Sequence, residues 1–185
     1  RPAHRTDMTA LVIRAHGTLG APVCSALAPR GVPGRAATRG SDLAGYRASV
    51  MIHCAGASLA LGLGHGWRGY GAVDVPLGRA VIDAARRTGA RLVYVAAHHP
   101  PALRRCAYVA AHERVVAEMA GVDGVVVRAT GFYAAFASLL PLARRGLLVD
   151  VGDGRVRTNP IDEADLARVV VDAALDRGCP RELAV

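Results

Sequence analysis

The stretch Leu11-Val12-Ile13-Arg14-Ala15-His16-Gly17-Thr18-Leu19-Gly20 decides the fold of this chain. An apolar run ending in small residues is followed by two glycines three residues apart, and then by apolar residues at helical spacing over residues 21–28. This order predicts a strand, a glycine turn and a helix, an arrangement that presents backbone N–H groups to a phosphate at a helix N-terminus. Arg14 stands where such a turn usually has its first glycine.

The composition is that of a folded globular domain. The chain has 185 residues, of which 52% are hydrophobic and 21% charged, so it is long enough for one core and too short for two. Residues 1–7 lack the apolar segment of a signal peptide, and Met8 stands directly before the first strand. We therefore expect residues 1–8 to be a disordered N-terminal extension and residues 9–185 to form the domain.

All 23 basic residues are arginine, and the formal net charge is +8. Without lysine, mechanisms that need a lysine Schiff base, proton relay or phosphate anchor are excluded. The arginine pairs are scattered through helical patterns and few aromatic residues accompany them, which favours solvated helix faces over a nucleic-acid-binding surface. Nucleic acid is therefore not an expected partner.

The cysteine pattern points to a reducing compartment. Cys24, Cys54, Cys106 and Cys179 lie far apart without a C-x-x-C pair, which is typical of reduced thiols and not of a disulfide framework. The chain has no apolar run of the length needed to span a bilayer. We expect a cytoplasmic protein with no membrane partner.

Strand and helix patterns alternate along the rest of the chain. Strand patterns occur at residues 34–40, 50–55, 91–97, 124–128 and 182–185, and helix patterns at residues 73–88, 105–121, 138–145 and 163–176. The alternation predicts an α/β fold, a doubly wound parallel sheet with helices on both faces. The link between the second and third strands is too short for a crossover helix, so the fold should be shortened there, with one face poorly covered, and again at its C-terminus.

The segments between these elements are predicted to be loops or turns. Residues 57–71 are glycine-dense and residues 129–136 contain three aromatic side chains, and both predict loops near a ligand site. Residues 147–151 predict a short strand, followed by a turn at residues 152–154.

Seven segments, in order, resemble those of the atypical short-chain dehydrogenase/reductases, and most closely the NmrA-like NAD(P)H-binding branch. They are residues 11–20, 37–39, 50–57, 91–95, 108–113, 127–132 and 157–167. The resemblance covers the chain from Leu11 to its C-terminus. It implies a Rossmann-type fold that holds NADP(H) or NAD(H).

The resemblance also implies a set of cofactor-binding residues. They are His16, Gly17, Thr18, Leu19, Gly20, Arg39, Asp42, Leu43, Ala55, Gly56 and Ala57. Gly17 and Gly20 match the second and third glycines of the family's turn. Arg39 matches a position that often favours a 2′-phosphate, so NADP(H) is favoured over NAD(H). Two alternatives stay open: Gly20 serves only helix packing, or Arg39 is a solvated charge.

Of the remaining members, Asp42 and Leu43 match the pair beside the adenine. The turn 55–57 matches the one that passes the nicotinamide ribose. Arg14 departs from the pattern, because a bulky residue replaces a glycine that allows a tight turn. We expect this departure to relax the turn or displace the pyrophosphate, and so to weaken cofactor binding.

Tyr108 and His112 are the candidate catalytic residues. In active members of the family, a tyrosine, a lysine four residues later and a serine on the preceding strand move the proton that accompanies hydride transfer. Tyr108 matches the tyrosine, His112 stands at the lysine and Ala96-Ala97 at the serine. Residues four apart share a helix face, so the two side chains can cooperate. The alternative is that Tyr108 packs on the core with His112 at the cleft edge.

Histidines and a cysteine also cluster around this segment. His98, His99, Cys106 and His112 match no familiar metal-binding spacing, and a metal site is not expected.

The sequence thus predicts an NAD(P)-binding protein, an NADP(H)-dependent oxidoreductase acting on a small carbonyl or enone. The substrate would lie between the 57–71 loop and the aromatic cluster Phe132, Tyr133 and Phe136, in a reduced substrate region over residues 129–185. The alternatives are a non-catalytic NmrA-like regulator that senses the redox state of the cofactor, and a truncated family member with impaired cofactor binding. The oligomeric state stays open.

Overall fold

At the centre of the structure lies a six-stranded sheet with the strand order β2-β1-β3-β4-β5-β6, in which every pairing is parallel. The computed structural model describes residues 8–38, 41–54, 69–147, 155 and 157–185. The strands are β1 Ala10–Ile13, β2 Gly34–Ala37, β3 Val50–His53, β4 Arg91–Ala97, β5 Gly124–Ala129 and β6 Glu182–Ala184. The predicted doubly wound α/β fold is confirmed.

Helices connect the strands in the described ranges. They are α1 Gly20–Leu27, α2 Tyr70–Thr88, α3 Ala107–Glu118, α4 Tyr133–Ala137, α5 Leu140–Ala143 and α6 Glu163–Leu175. Three short 3₁₀ turns occupy Ala28–Arg30, Leu43–Gly45 and Pro101–Arg105. Within this described part, no helix combines the length and the apolar character that crossing a bilayer requires.

The two faces of the sheet have separate cores. Successive side chains of a strand point to opposite faces, so Leu11 and Ile13 pack with α2 and α3, whereas Ala10 and Val12 pack with α1 and α6. Burial on both faces explains why the central strands are continuous apolar runs and do not alternate with polar residues.

The short link between β2 and β3 contains only a 3₁₀ turn in its described part, as its length predicts. Leu43 is buried in the core on the α2 side, and Tyr46 and Ala48 pack against the same core. Poor coverage is therefore confined to the edge strand β2, where residues 34–36 are exposed. The expectation of one poorly covered face was wrong for the centre of the sheet, because the link itself supplies apolar side chains.

Several predicted boundaries differ from the structure. Helix α2 begins at Tyr70, inside the predicted loop, and the predicted helix over residues 105–121 is a 3₁₀ turn followed by α3. The predicted loop over residues 129–136 contains the start of α4, and α5 is only part of the predicted 138–145 helix. The strand predicted at residues 147–151, apart from its first residue, and the turn at 152–154 lie outside the described residues.

Helix α6 has polar contacts at both ends. The Asp162 carboxylate accepts hydrogen bonds from the backbone N–H groups of Ala164 and Asp165 at 2.8 and 3.3 Å, as expected for an N-cap. At the other end, the buried guanidinium of Arg91 donates to the carbonyl oxygen of Asp176 at 2.9 Å. These contacts satisfy backbone groups that a helix terminus leaves without intrahelical partners.

Candidate functional site

The turn after β1 keeps a tight conformation although its first residue is an arginine. Arg14 has φ 63°, in the left-handed region that favours glycine. Its N–H donates to the Ala37 carbonyl at 2.7 Å, and its carbonyl accepts from the Gly17 N–H at 2.9 Å. The expected relaxation of the turn is therefore not found, because Arg14 adopts a left-handed φ that glycine adopts readily.

The two glycines of the turn lie against this same residue. A Cβ atom on Gly20 would stand 2.1 Å from the Arg14 carbonyl oxygen and 2.8 Å from the Cα of Ala15. A Cβ on Gly17 would stand 3.2 Å from the same oxygen and 3.3 Å from Cγ of Arg14. Gly20 thus lies against the backbone of Arg14 and Ala15, so closely that any residue with a Cβ atom would clash there.

The turn lies where the chain reverses its direction across the sheet. From β1 the chain proceeds to β2 on one side, and β3 then pairs with β1 on the other side. In open α/β sheets, ligands bind beyond the carboxyl ends of the strands at such a switch point. A cleft of about 310 Å³ opens beside this point, at the carboxyl ends of β1 and β2, and it is lined by Arg14, Ala15, His16, Ala37 and Thr38.

The other predicted cofactor residues have different environments. His16, Thr18 and Asp42 are exposed, whereas the side chains of Leu19 and Leu43 are buried in the two cores. Arg39, Ala55, Gly56 and Ala57 lie outside the described residues, as does most of the predicted 57–71 loop. The structure therefore brings together the turn and the end of β2.

Tyr108 and His112 are in contact on α3. Tyr108 lies in the first turn of α3, and its ring meets that of His112 edge to face with centroids 4.5 Å apart. The chain enters α3 from the carboxyl end of β4. The first turn of α3 therefore lies near the carboxyl ends of the strands, as the glycine turn does. The ring of Tyr70 at the start of α2 contacts Tyr108 from the other side, with centroids 5.3 Å apart.

His112 is buried, and its Nδ1 atom lies 2.7 Å from the hydroxyl of Tyr94 on β4. Its Nε2 atom is buried and has no hydrogen-bond partner among the described residues. Burial is the main cause that lowers the pKa of His112 to about 4, so the ring is neutral at physiological pH. His112 therefore does not supply the positive charge that a lysine at this position would bring.

Tyr108 holds its proton strongly. Burial raises the pKa of its hydroxyl to about 12, and the carboxylate of Asp74 and the nearby Tyr70 add to the increase. A phenol in this environment is fully protonated at neutral pH. It is available as a hydrogen-bond donor, but the raised pKa makes the loss of its proton harder than for an exposed tyrosine.

Three buried polar groups around this pair were missed by the sequence reasoning. They are His53 at the end of β3, Asp74 on α2 and Tyr94 on β4. The ring of Tyr94 contacts that of His53 as well as that of His112, with centroid distances of 5.2 and 5.8 Å. A histidine within the apolar run of β3 was the available signal, because polar residues are seldom fully buried without partners.

A second cleft, of about 230 Å³, lies at the carboxyl ends of β4, β5 and β6. Arg128 pairs there with Glu113 at 2.5 Å and with Glu182, and His99 Nε2 lies 3.2 Å from Glu113. Burial alone raises the pKa of Glu113, but hydrogen bonds from Arg128 and His99 outweigh it and hold the pKa below its usual range. The guanidinium is thus already neutralised by carboxylates.

Two of the three side chains of the predicted aromatic cluster are open to solvent, whereas Phe132 is partly buried against the core on the α6 side. Tyr133 and Phe136 are 54% and 44% exposed, and Phe132 forms an isolated parallel bridge with Ile161. The described residues contain no group of three or more His, Cys, Asp or Glu side chains placed to hold a metal ion.

Solved structures with the same fold span this chain almost completely. A dTDP-4-dehydrorhamnose reductase from Clostridium acetobutylicum superposes with a TM-score of 0.76 at 18% identity, covering 96% of this chain and 74% of its own. A human epimerase family protein solved with NADPH gives 0.77 at 18% identity, covering 96% and 73%. A UDP-glucose 4-epimerase from Thermus thermophilus, in complex with NAD, gives 0.75 at 16% identity, covering 96% and 77%.

At these identities the likeness shows the fold alone, which is the Rossmann-type fold of proteins solved with either nicotinamide dinucleotide. No protein-family model matches the chain. No curated protein matches it either. The resemblance to the NmrA-like branch therefore stays a prediction.

Proposed function

We propose that this chain binds a nicotinamide dinucleotide at the turn of residues 14–20, with NADP(H) favoured over NAD(H), and reduces a small carbonyl or enone. The observation that carries the proposal is the contact of Gly20 with the Arg14 carbonyl, where a Cβ would stand at 2.1 Å. A turn this close to the start of α1, at the switch point of the sheet, is the arrangement that admits a diphosphate. The residues present fit the cofactor.

The chain's own residues would hold the dinucleotide in three places. Backbone N–H groups at the start of α1 and the residues His16 to Gly20 would hold the diphosphate. Asp42 and the backbone of Leu43 would hold the adenine, and Arg39 and residues 55–57 are proposed for the 2′-phosphate and the nicotinamide ribose. Such a cofactor supplies a hydride when it is bound.

Tyr108 is the proposed proton donor. Its protonated hydroxyl transfers a proton to the substrate oxygen as the carbonyl carbon gains the hydride, so that an alcohol forms and a phenolate remains. The pKa of about 12 keeps this proton in place at neutral pH. The same shift makes the phenolate, from which the reverse reaction begins, scarcer at neutral pH, and it makes the hydroxyl a weaker acid than that of an ordinary tyrosine.

His112 is proposed as a neutral positioning residue for Tyr108. Its ring packs against the phenol, and its own orientation is set by the hydrogen bond to Tyr94. The substrate would lie between Tyr108 and the exposed aromatic cluster that includes Tyr133 and Phe136, in the reduced substrate region of residues 129–185.

A binding titration followed by a substrate panel tests the proposal. The fluorescence of NADPH and NADH is measured against protein concentration, and we expect saturable binding of both. Carbonyl compounds are then supplied with NADPH, including a dTDP-4-keto sugar because one structural neighbour is named as a reductase of this class. We expect turnover that Tyr108→Phe lowers by roughly 100-fold or more while leaving NADPH affinity unchanged.

A second candidate is a regulator of the NmrA-like type that binds the cofactor without chemistry. It is favoured by the neutral, buried state of His112 and by the alanines Ala96 and Ala97 where active relatives have a serine. Binding without turnover of any carbonyl would support this candidate. No binding of either nucleotide at millimolar concentration would contradict both and favour an impaired family member.

A further inference from the structure

Most of the exposed large apolar side chains that the structure describes lie on α4, on α5 and at the turn that follows them. Six such side chains are exposed in the described part of the chain, and five of them belong to residues 133–147. Neither helix has a buried residue. The five, with exposed fractions from 36% to 59%, are Tyr133, Phe136, Leu140, Leu142 and Leu147. Single exposed apolar residues are normal, but a continuous group of them marks a surface that binds a partner.

Three of these side chains lie along one side of the helical segment. Tyr133, Phe136 and Leu140 are spaced three and four residues apart, which places them on one face of a helix. A hydrogen bond from the Ser138 N–H to the Ala134 carbonyl, at 3.0 Å, continues the helical path beyond α4. The two short helices therefore present an apolar strip to solvent.

The turn that ends α5 adds the remaining leucines to this strip. Gly146 has φ 79°, and its N–H donates to the Ala143 carbonyl at 2.9 Å. The N–H of Leu147 donates to the Leu142 carbonyl at 3.2 Å. These are the two hydrogen bonds of a Schellman motif, in which apolar side chains on either side of the glycine are commonly in contact. Leu147 thus extends the apolar side of α5.

The charge beside the strip is positive. Arg144 and Arg145 follow α5 directly and are exposed, and Arg144 shares a helix face with Leu140 four residues before it. The sequence has no acidic residue at positions 124–149. The carboxylate of Glu163 is hydrogen-bonded at the opposite end of the segment, to the start of α4. The five apolar side chains and the two arginines together form what we call the α4–α5 surface.

We propose that this chain docks on an anionic lipid bilayer through the α4–α5 surface. Apolar side chains along one helix face, with arginines beside them, are the features of helices that lie in the plane of a bilayer interface. The leucines and aromatic rings enter the boundary between headgroups and acyl chains, and the two guanidinium groups meet lipid phosphates. The net charge of +8 adds a long-range attraction to the same membrane.

A second copy of this chain fits the surface less well. Pairing two such surfaces would bring four arginines together, and residues 124–149 offer them no carboxylate. The surface has seven side chains, whereas a stable protein interface takes about 20–30 residues from each partner. The expectation of no membrane partner was based on the lack of a spanning segment, which contact of this kind does not need. The inference goes beyond the proposed function and does not depend on it.

Vesicle co-sedimentation tests the inference without cofactor or substrate. The full chain is mixed with vesicles of phosphatidylcholine alone, and with vesicles of phosphatidylcholine and phosphatidylserine at a ratio of about 3:1, at low and high salt. One variant combines Leu140→Ser with Leu147→Ser, and another combines Arg144→Gln with Arg145→Gln. Tyr133 and Phe136 stay unchanged, because they also border the proposed substrate region.

The matched control combines Arg86→Gln with Arg87→Gln. It removes two adjacent charges from the last turn of α2, which leads into the amino end of β4, whereas α4 follows the carboxyl end of β5. The two arginine pairs therefore lie at opposite edges of the sheet. Circular dichroism establishes that each variant is folded.

We expect the wild type to bind the anionic vesicles and to bind phosphatidylcholine alone only weakly. Loss of Arg144 and Arg145 should weaken binding by roughly 25-fold, or about fivefold for each basic residue at the membrane. The leucine variant should lose roughly 10-fold or more, and the control less than about twofold, because its charges lie more than a Debye length from the bilayer. Added salt should weaken the wild type more than the variant without Arg144 and Arg145.

Three results would overturn the inference. Equal losses from the two arginine pairs would mean that net charge alone attracts the chain to the vesicles. Full binding by the leucine variant would mean that the apolar strip does not enter the bilayer. No binding by the wild type, together with a dimer in sedimentation equilibrium that the leucine variant cannot form, would assign the surface to a second copy. None of these results bears on the titration with NADPH, so the proposed function is tested separately.

Discussion

The glycine turn and the Tyr108–His112 pair both differ from the pattern of the family that the sequence resembles, and the differences at Arg14 and at His112 have different consequences. At the turn, Arg14 adopts a glycine-like φ of 63° and the close contact of Gly20 survives. On α3, His112 occupies the place of a lysine but is buried and neutral, with its pKa lowered to about 4. A backbone turn can accommodate an unfavourable residue at a modest cost in conformational free energy. A neutral imidazole, in contrast, cannot supply the positive charge that a lysine would carry.

The largest expected effect comes from Gly20→Ala, which attacks the turn directly. The added Cβ would stand 2.1 Å from a carbonyl oxygen, so the turn must shift and dinucleotide binding should become undetectable. We expect the free energy of unfolding to fall by about 3 kcal/mol, measured by urea denaturation. Gly71→Ala is the control, because a Cβ there meets nothing within 4 Å. Retained NADPH affinity in Gly20→Ala would mean that the cofactor does not depend on this turn.

The second expected effect is a loss of stability in acid that originates at His112. The pKa of His112 is about 4 in the folded chain against 6.5 for an ordinary histidine. Between these values the unfolded chain binds more protons, so the free energy of unfolding rises with pH. Stability present at neutral pH should be lost as the pH falls from about 6.5 to 4, by roughly 3 kcal/mol for this group.

Urea denaturation across that pH range measures this loss. His53 acts with the same sign, since burial lowers its pKa to about 3, so the comparison is made with His112→Gln, which does not titrate. The variant should show a shallower slope than the wild type. Equal slopes would mean that His112 is not held neutral by burial, and the contrast between the two sites would disappear.

Tyr94→Phe tests whether the position of His112 matters for the chemistry. The substitution removes the hydroxyl that lies 2.7 Å from Nδ1 and leaves a buried ring nitrogen unsatisfied, which should cost about 1–2 kcal/mol of stability. In the proposed reductase, we expect turnover to fall by a few-fold, roughly 3- to 10-fold, with NADPH affinity unchanged. Unaltered turnover in a destabilised variant would restrict Tyr94 to a structural role.

The smallest expected effect is on the stability of the turn in Arg14→Gly. Glycine adopts the left-handed conformation without the penalty of about 1 kcal/mol that arginine bears. This gain is partly offset by the greater backbone freedom of glycine in the unfolded chain. We expect an increase of about 0.5–1 kcal/mol in the free energy of unfolding. A decrease would show that side-chain contacts of Arg14 outweigh the strain of its backbone.

Much of the fold followed from residue patterns because hydrophobic periodicity is local. The strand runs at β1, β3, β4 and β5, and the amphipathic helices α2 and α6, each record in their own residues which side chains are buried. The Asp162 cap was predictable for the same reason, since the N-cap bonds only residues two and three positions ahead. The short α4 and α5 were not, because five- and four-residue helices carry too little periodicity to be distinguished from loops.

The features of the candidate site also fall into those that depend on local sequence and those that depend on tertiary contacts. Residue order sufficed to predict the turn after β1 and the shared face of Tyr108 and His112, because both depend on neighbours within a few residues. The left-handed φ of Arg14, the hydrogen bond from Tyr94 to His112 and the burial that keeps the ring neutral depended on tertiary structure. The turn at Arg14 is hydrogen-bonded to β2, and His112 on α3 is hydrogen-bonded to β4, so both features depend on contacts between separate elements. The free energy of a buried charge likewise depends on the groups that surround it in space.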